Sequence, residues 1–180
     1  MKTKPMPGDP QGPALIDRIL RVDQAGEYGA VRIYQGQLAV LPEGPAKAAV
    51  RAMAKKEAEH LAKFDKLVAE RRARPTALQP LWHVAGFALG AATAMLGQRA
   101  AMACTVAVEE AIDEHYAAQA RALGDDESDL RAIIEQFRAD EIEHKETALL
   151  HDAEKAPGHP LLGEAIKAGS RLAIWLSERI

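Results

Sequence analysis

The sequence predicts an all-α fold, a four-helix bundle with an additional apolar connecting helix and a C-terminal amphipathic helix. Three observations carry this expectation. Aromatic residues make up only 4% of the chain and β-branched residues are few, while Ala, Leu, Glu, Lys and Arg abound, a balance that favours helix over sheet. Long segments repeat their apolar residues at helical rather than alternating spacing. Proline and glycine cluster between most of these segments and so mark their ends.

Residues 1–13 carry Pro5, Pro7, Pro10 and Pro13 with Gly8 and Gly12, and no apolar run, so they read as a flexible tail rather than a signal peptide. The remainder, 14–180, reads as one domain. Its first helix begins at Ala14, places Leu20, Asp23, Glu27, Val31, Tyr34 and Leu38 in one narrow arc, and is stopped by Pro42, Gly44 and Pro45. The second covers 45–72, with Val50, Met53, Glu57, His60, Phe64 and Val68 on one face and Pro75 beyond it. An apolar segment then runs to Gly97. A further helix spans 98–123 and ends at Gly124 and an acidic turn, and the next spans 129–153 and is broken by Pro157, Gly158 and Pro160. The last, 161–180, gathers Leu162, Ile166, Leu172 and Leu176 on one side.

Composition excludes several functions. Lys+Arg 23 against Asp+Glu 26 gives a net charge of −3, which lacks the excess positive charge that non-specific nucleic-acid binding uses. The single cysteine, Cys104, cannot make an internal disulfide, a Cys-x-x-Cys redox pair or a four-thiolate metal site.

Each of the four long helices places a carboxylate in the middle of its apolar face, and two add a histidine three residues later: Glu27; Glu57-Ala-Glu-His60; Glu109; Glu141-Ile-Glu-His144. Positions i and i+3 share one side of a helix, so each Glu-x-x-His aims an oxygen and a nitrogen donor at a common centre. Glu27 and Glu57 are 30 residues apart and Glu109 and Glu141 are 32 apart, so the chain reads as two copies of one helix pair about an approximate two-fold axis. Four buried carboxylates without partners would each cost several kcal/mol, about the penalty for any ion leaving water. Two divalent cations cancel those charges, and two imidazoles complete a nitrogen and oxygen set suited to iron or manganese. One Glu-x-x-His is common on solvated faces. Two of them on apolar arcs, with partner glutamates at matched spacing, form the di-metal carboxylate pattern of ferritin-like bundles. Among neighbouring acids, Glu59 and Glu143 fall about 200° around the helix from the inward glutamates and should face solvent. Glu109 shares its arc with Met102, Thr105, Ile112 and Tyr116, and is a better inward choice than Glu110.

On these residues the sequence resembles the demethoxyubiquinone hydroxylase family of ubiquinone biosynthesis. The resemblance is carried by Arg21-Val-Asp-Gln-Ala-Gly-Glu27-Tyr-Gly-Ala30, Glu57-Ala-Glu-His60, Cys104-Thr-Val-Ala-Val-Glu109-Glu with His115-Tyr116 after it, and Asp140-Glu-Ile-Glu-His144, and it spans 17–180. It implies a ferritin-like di-iron monooxygenase that hydroxylates a polyprenyl methoxy-methyl-benzoquinol, 3-demethoxyubiquinol, in the penultimate step of the pathway, with O2 as co-substrate. By the same carry-over the iron ligands are Glu27, Glu57, His60, Glu109, Glu141 and His144. The one departure is Gln24, where many relatives have His. The resemblance further implies that His115 and Tyr116 take part in proton and electron delivery. Read from the helix alone, Tyr116 is an inward core residue and His115, about 120° from Glu109, an exposed one. No Gly-x-Gly-x-x-Gly or flavin motif is present, so the two electrons are expected from a diffusible donor, the quinol itself or another protein; the resemblance implies direct use of NADH or reduction through the quinone ring.

Between residues 81 and 108 there is no Asp, Glu or Lys. Gly86, Gly90, Gly97 and many alanines make this stretch too weakly hydrophobic for a membrane span, and its second half belongs to the Glu109 helix. It reads either as a buried connecting helix or as an apolar helix that dips into one leaflet and lines a channel for a polyprenyl tail. A ferritin-like storage subunit needs no such segment, which favours the hydroxylase over an iron-storage ferroxidase; a di-iron hydroxylase of another substrate is the further alternative, its RNA-modifying version weakened by the net charge of −3 and its rubrerythrin version by the single cysteine. With the last amphipathic helix it points to a membrane surface, the cytoplasmic face of a bacterial inner membrane or the matrix face in a mitochondrion, with Trp82 and Trp175 as interface anchors or core contacts. Accessory proteins of ubiquinone biosynthesis and a homo-oligomer are the further partners expected.

Overall fold

The computed structural model describes residues 10–180; of the expected tail, residues 1–9 lie outside the described residues. Six helices follow one another, α1 (Pro13–Val40), α2 (Pro45–Arg71), α3 (Gln79–Met95), α4 (Gln98–Ala122), α5 (Ser128–Leu150) and α6 (His159–Ser177), with 3-10 turns at Asp125–Glu127 and Ala153–Lys155. Among the described residues there is no strand, and the all-α, ferritin-like bundle is what the chain forms.

Proline starts four of these helices, because its fixed φ suits the first turn, where no N–H partner is needed. Hence α1 already includes Pro13, and α6 opens at His159 with Pro160 in its first turn, where the sequence reading took Pro160 as a breaker. α2 stops before Pro75, at Arg72, whose left-handed φ of 54° lets the Ala73 N–H reach the Val68 carbonyl. Gly97, at φ 108°, makes the sharp link between α3 and α4 that a side chain would resist.

The bundle is two helix hairpins, α1–α2 and α4–α5, facing each other. Its interior is layered. Val50, Met53, Met102 and Ala148 belong to one apolar cluster, and Phe64, Leu123, Ile134 and Phe137 to another. Along every helix the inward glutamates and histidines fall between these two clusters, so apolar plugs close the polar layer at both ends.

α3 and α6 lie outside the four-helix core, against α1 and α4. α3 approaches α1 through glycine: a Cβ at Gly86 would meet the Gly29 carbonyl oxygen at 2.9 Å, and one at Gly90 would run into the Ile33 carbonyl. Close backbone approach explains the glycines in the apolar stretch, which read from sequence only as weak hydrophobicity. α3 is therefore not a buried connector, because Leu81, Val84 and Met95 on its outer side are exposed, as are Leu161, Leu172 and Trp175 of α6. Trp82 instead donates its indole N–H to Ser177 Oγ at 3.0 Å, tying α3 to α6, and Arg179 lies over the Trp175 ring at 4.3 Å. None of the described helices is long and apolar enough to cross a membrane.

Candidate metal centre

The structure brings Glu27 of α1, Glu57 and His60 of α2, Glu109 of α4, and Glu141 and His144 of α5 into one layer, each nearly or wholly buried. Two overlapping groups of four can each hold a metal ion, Glu27-Glu57-His60-Glu141 and Glu57-Glu109-Glu141-His144, with their donor atoms within 4.8 Å of one another. Glu57 and Glu141 belong to both groups, while Glu27 and Glu109 each belong to one. The excluded neighbours behave as expected: Glu59 and Glu143 are exposed, and Glu110 points outward to Lys167 Nζ at 3.2 Å.

The fit to cations rests on atoms with nothing else to do. Glu27 Oε2, both oxygens of Glu57, Glu109 Oε2, Glu141 Oε1 and His60 Nδ1 are buried and have no hydrogen-bond partner. They nevertheless converge, with His60 Nδ1 3.2 Å from Glu141 Oε1 and 3.5 Å from Glu27 Oε2, and His144 Nδ1 2.9 Å from Glu57 Oε1. Orphaned acceptors at this density are very costly unless positive charge binds among them. The electrostatics of the layer point the same way: burial, then the neighbouring carboxylates, push Glu57 and Glu109 well above the usual carboxylate range. Burial also raises Glu141, partly offset by His60. Burial would lower His60, but contacts with Glu141 and Glu27 outweigh it and raise the imidazole to about 10. Cations compete for this site against protons.

Around the layer lies a polar frame that the sequence reading only half saw. Tyr34 of α1 donates its hydroxyl to Glu109 Oε1 at 2.6 Å, and Tyr116 of α4 donates to Glu27 Oε1. Tyr116 is thus buried yet more than a core residue. Gln37 donates to the Ala101 carbonyl at 3.0 Å and Gln119 donates to Asp23 Oδ1 at 2.6 Å. His115 sits outside the layer, partly buried, with its Nε2 2.8 Å from Gln119 Nε2, in a cleft of about 200 Å³ that Arg18 and Glu178 also line. Tyr34, Gln37 and Gln119 were missed as site residues, although a signal existed. Glu27, Tyr34 and Gln37 recur at the same offsets as Glu109, Tyr116 and Gln119.

A second feature adjoins the layer. An almost wholly apolar cavity of about 320 Å³ lies between α1, α3, α4 and α6. Gly26, Ala30, Val108 and Ile112, adjacent to Glu27 and Glu109 or within a turn of them, form one wall; Trp82 and Ile174 lie on the accessory helices opposite.

Comparison with known proteins gives a coherent result. Residues 14–177 match the family model described as ubiquinone biosynthesis protein COQ7. A 3-demethoxyubiquinol 3-hydroxylase of Rhodospirillum rubrum is 64% identical over 176 residues, 97% of this chain and 83% of that protein. The mitochondrial NADPH-dependent 3-demethoxyubiquinone 3-hydroxylase of Homo sapiens is 52% identical over 171 residues, 93% and 79% of the two chains. The mitochondrial 5-demethoxyubiquinone hydroxylase of Saccharomyces cerevisiae is 41% identical over 184 residues, again 93% and 79%.

Proposed function

The chain belongs to the ubiquinone biosynthesis protein COQ7 family, and on that premise we propose that it hydroxylates the ring of 3-demethoxyubiquinol with O2 at a centre of two irons. The observation that carries the reading is the layer of four carboxylates and two imidazoles with orphaned inward atoms, beside an apolar cavity. Glu27, Glu57, His60 and Glu141 would hold one ion and Glu57, Glu109, Glu141 and His144 the other, with Glu57 and Glu141 common to both donor groups. When bound, the irons supply the splitting of O2, one oxygen atom entering the ring C–H bond and the other leaving as water with two electrons and two protons.

The protein's own groups do the rest. Burial keeps Tyr34 and Tyr116 protonated, so each stays a donor that orients one carboxylate of the layer. The apolar lining of the cavity suits an apolar quinol and its tail, with α3 and α6 as its outer wall. His115, Gln119 and Asp23 lead from the Arg18–Glu178 cleft toward the Glu27–Tyr116 pair, which supports proton delivery on that side. The electron pair is assigned to a reduced nicotinamide, the class of donor that the human relative's name specifies. The exposed apolar residues of α3 and α6 support peripheral attachment to the membrane that holds the substrate, the cytoplasmic face in a bacterium and the matrix face in a mitochondrion.

Expression in a host that lacks ubiquinone hydroxylation tests the reading by mass spectrometry of its quinones. Ubiquinone should be restored by the intact chain and demethoxyubiquinone should persist with Glu57→Ala. Persistence of demethoxyubiquinone alongside folded, iron-loaded intact chain would overturn the assignment.

A further inference from the structure

Five residues of the centre recur in both halves, while Asp23, answered by Thr105, and the residues behind the histidines do not. Glu27, Tyr34, Gln37, Glu57 and His60 have counterparts in Glu109, Tyr116, Gln119, Glu141 and His144, and the hydroxyl contacts cross between halves reciprocally. The residue just before each Glu-x-x-His breaks the symmetry, being Asp140 in one half and Lys56 in the other. Asp140 Oδ2 accepts from His60 Nε2–H at 3.0 Å, on the far side of the ring from the inward Nδ1. The ring is also stacked on Phe137, with centroids 3.9 Å apart. Lys56 cannot accept an N–H, and its Nζ turns to Asp140 Oδ1 at 3.4 Å. The polar contacts of the His144 ring to Glu57, Glu109 and Glu141 all run through the inward Nδ1, and its side chain is 8% exposed against 1% for His60.

An acceptor behind a liganding imidazole fixes the tautomer that offers its lone pair inward, aligns the ring and strengthens the donor, an effect of about 10–100-fold in metal affinity. Resting on the two-metal reading above, we propose that the two positions are unequal. The position completed by His60 takes its divalent ion first and holds it tightly, with Asp140 as the positioning residue. The position completed by His144, nearer solvent and without that support, fills second and exchanges.

Titration of the metal-free full chain with Mn2+, followed by calorimetry and by the spin-resonance signal of bound ion, tests this. Repulsion between two like ions separates the steps even in a symmetric centre, so the identity of the first site decides. His144→Ala should keep the tight step and His60→Ala should lose it. Asp140→Ala should weaken the first step by about 10–100-fold while leaving the second nearly unchanged, and Asp140→Asn, which keeps an acceptor, should recover part of the loss. Lys56→Asp alters a half-exposed side chain and should narrow the ratio between the steps, which decides the question even where Asp140→Ala does not fold. Equal losses in the two histidine variants, or a ratio unmoved by Lys56→Asp, would overturn the inference. Failure of the intact chain to bind a second ion at all would instead refute the two-metal reading.

Discussion

Glu109 and Glu27 each accept a hydrogen bond from a tyrosine of the opposite hairpin, so single hydroxyls align these two buried carboxylates. Tyr34→Phe leaves Glu109 Oε1 buried without its donor, at a cost of about 1–3 kcal/mol. Urea unfolding of the metal-free variant should show that loss, with helicity retained; an unchanged midpoint would show that the hydroxyl is dispensable. Glu57 and Glu141 carry more, since each serves both donor groups. Glu57→Ala or Glu141→Ala should therefore lower bound iron to below about half of the wild-type content and abolish turnover, while circular dichroism stays helical. At this scale the sequence was informative wherever chemistry and period coincide. The two Glu-x-x-His pairs were visible because i and i+3 share a helix face, and Glu109 was separated from Glu110 by its arc alone. Gln37 and Gln119 were legible only as a repeated offset from Glu27 and Glu109, and the Asp23 contact not at all, because the partner that a buried amide or acid reaches lies on another helix.

At the scale of the helix, proline and glycine had two uses that sequence alone does not separate. Pro160 starts a helix rather than breaking one, and Gly86 and Gly90 make a contact rather than a weakness. The number and order of helices were legible from period and breaks. The side on which α3 lies was not, because its packing edge is written in missing side chains. A Cβ at Gly90 would strike the Ile33 backbone, so Gly90→Ala should push α3 from α1 and cost about 1–3 kcal/mol or more. Gly163 of α6 has open space around its Cβ position, and Gly163→Ala should be neutral or stabilising by up to about 1 kcal/mol. Thermal melts of the two variants should move apart; equal melting points would mean that α3 does not pack on α1 as described.

For the whole molecule, the near-neutral charge is an average over two different places. Four of the 26 acids lie in the central layer, and two divalent ions there would carry the net charge from −3 to about +1. Without metal, Glu57, Glu109, Glu141 and His60 all have raised pKa values, so their stabilising contributions are full at low pH and are lost as pH rises through the folded values. His144 is lowered by burial and opposes this only below about 6.5, its unperturbed value. The metal-free protein should thus lose melting temperature as pH rises from about 6.5 to about 9, and the metal-loaded protein should not, because its ions replace the protons. Parallel profiles would contradict a cation site in the layer.

Most direct is a single turnover of the iron-loaded, reduced protein with 3-demethoxyubiquinol under isotopically labelled O2, read by mass spectrometry of the quinone. The intact chain should form a hydroxylated ring that carries one labelled oxygen atom, and Glu141→Ala should not. Unchanged substrate, or a hydroxyl whose oxygen comes from water, would contradict the assignment.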